Sequence, residues 1–294
     1  MNVLEHLKTK KVVMADGGWG TELFKRGLKP GQAPEMWNID RPEDIRAVAA
    51  AYVTAGAEII LTNTFGGSPM KLAKMGLGSK MAEINWLGTE ISKNAAAGRA
   101  LVFASMGPTG ELLKPLGEAS EEEMVRSFEE QAKALVEGGA DGIVIETMID
   151  LIEAKAALAA IRRSHTLPVV VSMTFDKKRV GYATIMGVQP QQAASELEKA
   201  GADIVGANCG TGIDDMIEVT RAMRQATSLP IWCKPNAGLP ELVDGKIVYR
   251  ETPEEMAAKL HLLLEAGAAI VGGCCGTTPA HIEAFVRERN RLLA

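Results

Sequence analysis

Short apolar runs rich in β-branched residues alternate along the chain with longer stretches whose apolar positions recur at helical spacing. The runs VVMAD (12–16), EIILTN (58–63), LVFASM (101–106) and GIVIET (142–147) predict strands. So do VVVSMT (169–174), IVGANC (204–209), IWCKP (231–235) and AIVGGC (269–274). Several are continuously apolar, the pattern of parallel strands covered on both faces. Between them, PEDIRAVAAAYVTAG (42–56), SEEEMVRSFEEQAKALVEGG (120–139) and QPQQAASELEKAG (189–201) carry the helical period. Ser120 and Glu123 have the spacing of a capping box, and Pro42 and Pro253 suit early helical positions. Helices end on one recurring phrase: AGAE (55–58), GGAD (138–141), AGAD (200–203) and AGAA (266–269). A glycine there can close a helix in the left-handed conformation and turn the chain into the next strand.

Eight strands, each followed by a helix, predict a single (β/α)8 TIM barrel over residues 1–294. An open doubly wound sheet is the alternative. It is weakened because DGGWGTE (16–22) lacks the spacing of a dinucleotide-binding glycine turn. No linker-like segment divides the chain.

Composition narrows the function classes. A content of 47% hydrophobic and 23% charged residues is that of a soluble globular protein. The net charge of −5 and the absence of a basic patch argue against a nucleic-acid partner; DKKRVG (176–181) is short and reads as a solvated turn. No apolar run reaches the ~20 residues of a membrane span, and the N-terminus MNVLEHLKTKK lacks the apolar core of a signal peptide. Four cysteines without an export signal point to a reducing, cytoplasmic setting, where clustered cysteines bind metal or react more often than they pair.

In a barrel the C-terminal ends of all strands share one face, and chemistry gathers there. Strand 1 ends on Asp16, strand 4 on Glu146, strand 6 on Cys209 and strand 8 on Cys274 and Cys275. Adjacent Cα atoms sit ~3.8 Å apart, too close for an ordinary disulfide between 274 and 275. Three thiolates on one rim instead suit Zn2+, and with no fourth protein ligand evident one position stays open, as in a catalytic site. The plainer readings are buried packing thiols or a glycine-rich phosphate loop, though cysteines serve no purpose in the latter. Cys233, inside strand 7, reads as a core residue. A zinc held by three thiolates is a poor activator of water but suits a thiol, whose proton it displaces. Asp16 and Glu146 then become partners for an ammonium group; their ordinary alternative is helix capping or solvation. His6, His165, His261 and His281 show no ligand spacing and are expected at the surface.

DGGWGTEL (16–23), LTNTFGG (61–67), ANCGTG (207–212) and IVGGCCGTTPAHI (270–282) together resemble the homocysteine S-methyltransferase family, over essentially the whole chain. The resemblance implies a zinc-dependent methyltransferase that moves a methyl group to the thiolate of homocysteine, giving methionine. It implies Cys209, Cys274 and Cys275 as zinc ligands, Asp16 and Glu146 as the ammonium site and the Gly17 amide as a carboxylate contact. Asn236 is expected to approach the open zinc position when no thiol is present. SMGPTGELLKPLG (105–117) and KPNAGLP (234–240) bring the chain nearest to the homocysteine-binding module of cobalamin-dependent methionine synthase. The betaine-using branch carries aromatic residues where this chain has Ala33 and Gly66, and Trp37 nearby reads as packing. No Asp-x-His-x-x-Gly cobalamin signature occurs. The expected donor is therefore a methylcobamide on a separate corrinoid protein. The alternatives are S-methylmethionine or S-adenosylmethionine as donor, an excised module of a larger enzyme, or a zinc- and thiol-binding or redox-sensing barrel without turnover.

Overall fold

Each apolar run becomes a strand because both its faces are covered. The computed structural model describes residues 3–243 and 246–294. Its barrel strands are β1 (Val13–Met14), β2 (Ile59–Leu61), β3 (Leu101–Met106), β4 (Gly142–Met148), β5 (Val169–Met173), β6 (Ile204–Asn208), β7 (Ile231–Lys234) and β8 (Ala268–Val271). They lie parallel and in chain order in one eight-stranded sheet. The sheet closes where Ala15 bridges Ile59: the Asp16 amide donates to the Ile59 carbonyl (3.0 Å) and the Glu58 amide to the Met14 carbonyl (2.7 Å). Closure excludes the doubly wound alternative.

Outside run α1 (Pro42–Thr54), α2 (Met81–Ala96), α3 (Glu121–Glu137), α4 (Leu151–Ser164), α5 (Pro190–Lys199), α6 (Ile213–Arg224), α7 in two pieces (Pro253–Ala258 and Leu260–Glu265) and α8 (Pro279–Leu293). The Ser120–Glu123 capping box forms, and Pro42 and Pro253 open their helices. Gly56 and Gly267 of the recurring phrase have φ of 92° and 108°, a conformation that costs glycine nothing and lets helix give way to strand. The segment DKKRVG forms the exposed turn of a two-stranded hairpin, Asp176–Lys177 with Tyr182–Ala183. Among the described residues no helix is long and apolar enough to cross a membrane.

Strand side chains alternate in direction, so each strand feeds two cores. Outward residues such as Met14, Ile60, Val102, Ile143, Val171, Val205 and Val271 pack beneath the helices, joined by Cys233, which meets the Thr220 hydroxyl at 3.1 Å. Inward residues Val13, Ile59, Phe103, Val144, Val170, Ile204, Trp232 and Ile270 fill the barrel, with Val3, Leu4 and Leu7 of the N-terminal helix Val3–Thr9 seated against them.

Two residues further along the same inward files the chemistry changes. Phe103 gives way to Ser105, Val144 to Glu146, Val170 to Ser172 and Trp232 to Lys234, while Ile204 leads through Gly206 to Asn208. All five polar side chains are buried. The apolar plug thus ends in a polar floor facing the C-terminal rim.

One expectation about the surface is corrected. His281 is buried: as the third residue of α8 it forms a capping box with Thr278, and its Nε2 meets the Glu251 carbonyl at 3.0 Å. Helix-cap geometry, not solvent, positions this ring. His6, His165 and His261 are partly exposed.

Candidate metal centre and active site

Cys209 follows β6 directly and adopts φ 59°, a left-handed turn that a β-carbon resists. It is pinned there by its amide, which donates to the Lys234 carbonyl at 3.1 Å. Cys274 and Cys275 follow β8 through Gly272 and Gly273. A β-carbon on Gly272 would lie 2.5 Å from the Asp16 carbonyl oxygen, and one on Gly273 would lie 2.4 Å from Thr277 Oγ1. The glycines therefore let the chain pass tightly against the β1 loop. The Cys274 amide donates to the Pro235 carbonyl (2.8 Å), and the Cys274 carbonyl accepts from the Thr277 amide and hydroxyl (3.1 and 2.7 Å).

The three sulfurs converge within 4.8 Å of one another, and Cys209 Sγ stands 3.8 Å from Cys275 Sγ. Tetrahedral zinc with Zn–S of ~2.3 Å sets its sulfurs ~3.8 Å apart, so these residues fit the ion. The thiols are tuned by one another and by burial. Cys274 lowers Cys209, but Cys275 and burial outweigh it and push Cys209 up to about 11. Cys209 lowers Cys275, but Cys274 and burial push it up to about 12. Cys274 is raised further, first by Cys209. Without a metal all three are neutral thiols at pH 7. Asn236, beyond β7, has a buried Oδ1 with no hydrogen-bond partner among the described residues.

The cysteines border a cavity of about 340 Å³ that continues past Glu146, Thr147 and Lys234 to the β1 loop at Gly17–Thr21 and to Glu35 and Phe65. Glu146 Oε1 accepts from Ser105 Oγ at 2.5 Å; burial raises this carboxyl, against the opposing pull of Lys234 and Ser105. Asp16 is wholly buried. Its Oδ1 accepts from Lys234 Nζ at 2.5 Å, and its Oδ2 accepts from the Trp19 indole and the Leu61 amide, each at 2.7 Å. Gly17 lies in the cavity wall.

A family profile described as homocysteine S-methyltransferase matches residues 13–288. The chain belongs to the homocysteine S-methyltransferase family. It is 33% identical to methionine synthase of Mycobacterium leprae over 96% of its own length, and 33% identical to methionine synthase of Mycobacterium tuberculosis over 93%. In both cases it spans about a quarter, 24%, of the relative. The metallated homocysteine methyltransferase MmuM of Escherichia coli shares the fold, with a TM-score of 0.81 and 23% identity over 98% of both chains.

Membership of the family makes the placement of the individual residues informative. The three cysteines, Glu146 and Gly17 border one cavity, whereas Asp16 lies beneath it in an ion pair. The Gly66 amide donates to Glu35 Oε1 at 2.6 Å, and a β-carbon there would meet that same oxygen, so any side chain at this position would have to displace the buried Glu35 carboxylate. Trp37 is buried with the Arg41 guanidinium 3.8 Å above its ring, a packing role.

Three residues escaped sequence reasoning. Lys234 reads as a strand edge until its period from Trp232 places it inward. Asn208 stands beside a cysteine that draws the eye. Tyr249 comes from an irregular loop, yet its ring packs on Gly276 and its phenol is raised by burial and then by Cys275.

Proposed function

We propose that the barrel is a zinc-dependent homocysteine S-methyltransferase whose methyl donor is a methylcobamide presented by a separate corrinoid protein. The observation that carries the reading is the meeting of Cys209, Cys274 and Cys275 at one end of a cavity whose wall holds Glu146. Zinc held by these three sulfurs would keep the acceptor thiol ionised at neutral pH. Asn236 Oδ1, a buried acceptor with no hydrogen-bond partner among the described residues, suits the fourth position while no thiol is bound.

The chain's own groups supply orientation. Glu146, engaged through one oxygen by Ser105, offers the other to an ammonium. Asp16 adds its charge from below the floor. The Gly17 amide makes no hydrogen bond among the described residues and suits a carboxylate. Fixing sulfur, ammonium and carboxylate at three points sets the direction from which a methyl group must approach. The relatives named methionine synthase support a corrinoid donor, and a reducing cytoplasm would keep the thiols competent.

A small sulfonium donor, S-methylmethionine or S-adenosylmethionine, is the second reading. The deciding experiment begins with the zinc-to-protein ratio of anaerobically purified protein, expected near one. Homocysteine methylation is then assayed with methylcobalamin and with each sulfonium compound. Full-speed turnover from a sulfonium donor without corrinoid would replace the first reading with the second. A ratio near zero that added zinc cannot restore would remove both.

A further inference from the structure

Lys234 is buried to 2% exposure at the floor of the cavity, one inward step above Trp232. Burying an ammonium costs heavily unless it is paired, and the inward residues just below it are all apolar. Its pairing is with Asp16 Oδ1, while Asp16 Oδ2 is already saturated by Trp19 and Leu61. Asp16 therefore needs no ligand to satisfy it. Glu146 on the floor and Asp16 beneath it set two carboxylates against one ammonium, a formal charge of −1 where two carboxylates alone would make −2.

We infer that Lys234 is a specificity-determining residue that fits the cavity to a zwitterionic amino-acid thiol and against the corresponding thiol amine. This rests on the proposed homocysteine site. A floor of −2 would hold an amine well but repel the carboxylate an amino acid carries on the adjacent carbon. Lys234 removes half of that repulsion, leaves the floor one unmatched negative charge for the single substrate ammonium, and is the only cation among the described residues that line the cavity.

The test is equilibrium binding to zinc-loaded protein, which needs no methyl donor. L-homocysteine is compared with 3-aminopropane-1-thiol, the same molecule without its carboxylate, by titration calorimetry. The wild-type protein is expected to prefer homocysteine by about tenfold or more, and Lys234→Met to shrink that preference by about tenfold. If Lys234→Met does not fold by circular dichroism, Lys234→Gln, which removes the charge but keeps an N–H donor for Asp16 Oδ1, takes its place and is expected to lose the same selectivity. Equal binding of the two thiols by the wild type, or a folded variant that keeps the preference, overturns the inference while leaving the homocysteine site standing. Failure of the wild type to bind either thiol overturns the proposed function and this inference with it.

Discussion

Asn208 and Thr147 are joined by two reciprocal hydrogen bonds across the barrel rim: Asn208 Nδ2 donates to Thr147 Oγ1 at 2.7 Å, and Asn208 Oδ1 accepts from the Thr147 amide at 2.9 Å. Thr147 has φ 62°, a left-handed conformation in which a β-branched residue persists only when its surroundings hold it. The pair also couples two functions, because Thr147 follows Glu146 and Asn208 precedes Cys209. Asn208 further accepts from Ser172 Oγ at 2.6 Å and places Nδ2 3.9 Å from Cys274 Sγ.

Replacing Asn208 should therefore be costly twice over. Asn208→Ala strands a buried amide and two hydroxyls, and we expect a loss of ~2–4 kcal/mol in denaturant unfolding. Zinc affinity, read by chelator competition, should drop by about tenfold or more through the loosened Cys274. Asn208→Asp keeps both acceptor roles and should unfold closer to wild type, yet still bind zinc weakly. Unchanged zinc affinity in both variants would show that the contact with Cys274 is incidental.

Raised thiols make zinc uptake a proton-releasing event. With Cys209 at about 11, Cys275 at about 12 and Cys274 higher, the metal-free site is fully protonated at pH 7. Binding should expel about three protons per zinc, measurable by calorimetry in two buffers of different ionisation enthalpy. Release of one proton would mean that only one cysteine ligates. The same shifts fix a stability trend. These thiols titrate higher in the folded chain than the ~8.5 of an unfolded one. Their contribution is complete below that value and is lost as pH rises towards 11–12. The metal-free protein should lose thermal stability above about pH 9, and the zinc-loaded protein should lose much less.

Much of this was legible in the chain. The barrel follows from eight apolar runs and the glycine phrase that ends four of the helices, and the cysteines stand out because strand ends converge. Lys234 was hidden for a physical reason. In IWCKP a terminal lysine looks like a solvated strand edge, and only the two-residue period from Trp232, level with Glu146 and Ser105, turns it inward. Tyr249 and His281 were illegible for another. Their positions depend on how the irregular segment before α7 folds back over Gly276 and the start of α8, and no periodicity reports that.

The turn that delivers the cysteines should tolerate no side chain. A β-carbon on Gly272 would meet backbone, the Asp16 carbonyl oxygen, at 2.5 Å, so neither partner can swing aside as a flexible side chain could. Gly272→Ala should push β8 away from β1, displace Cys274 and Cys275 together and cost ~1–3 kcal/mol of stability. We expect substoichiometric zinc by elemental analysis even where the variant remains folded. Full zinc occupancy would mean that the loop has slack the structure does not reveal.

Immediately before β2, Glu58 holds three parts of the chain together. Its carboxylate accepts from the Met14 amide at 3.0 Å and pairs with Arg289 of α8 at 2.5 Å and with Lys10 after the N-terminal helix. Burial pushes this carboxyl up, but Lys10, the Met14 amide and Arg289 together outweigh burial and hold it below the usual carboxylate range. A depressed carboxyl stabilises the fold above its unfolded value of ~4.3, and that contribution is lost as pH falls through the lower folded value. Glu58→Gln should therefore unfold ~1–2 kcal/mol more easily than wild type at pH 7. The gap should narrow steadily below about pH 4, where the wild-type carboxyl also becomes neutral. Urea melts of both proteins across that range decide the matter: a gap that stays constant with pH would assign the loss to altered packing and not to the charge that ties Arg289 and Lys10 to β1.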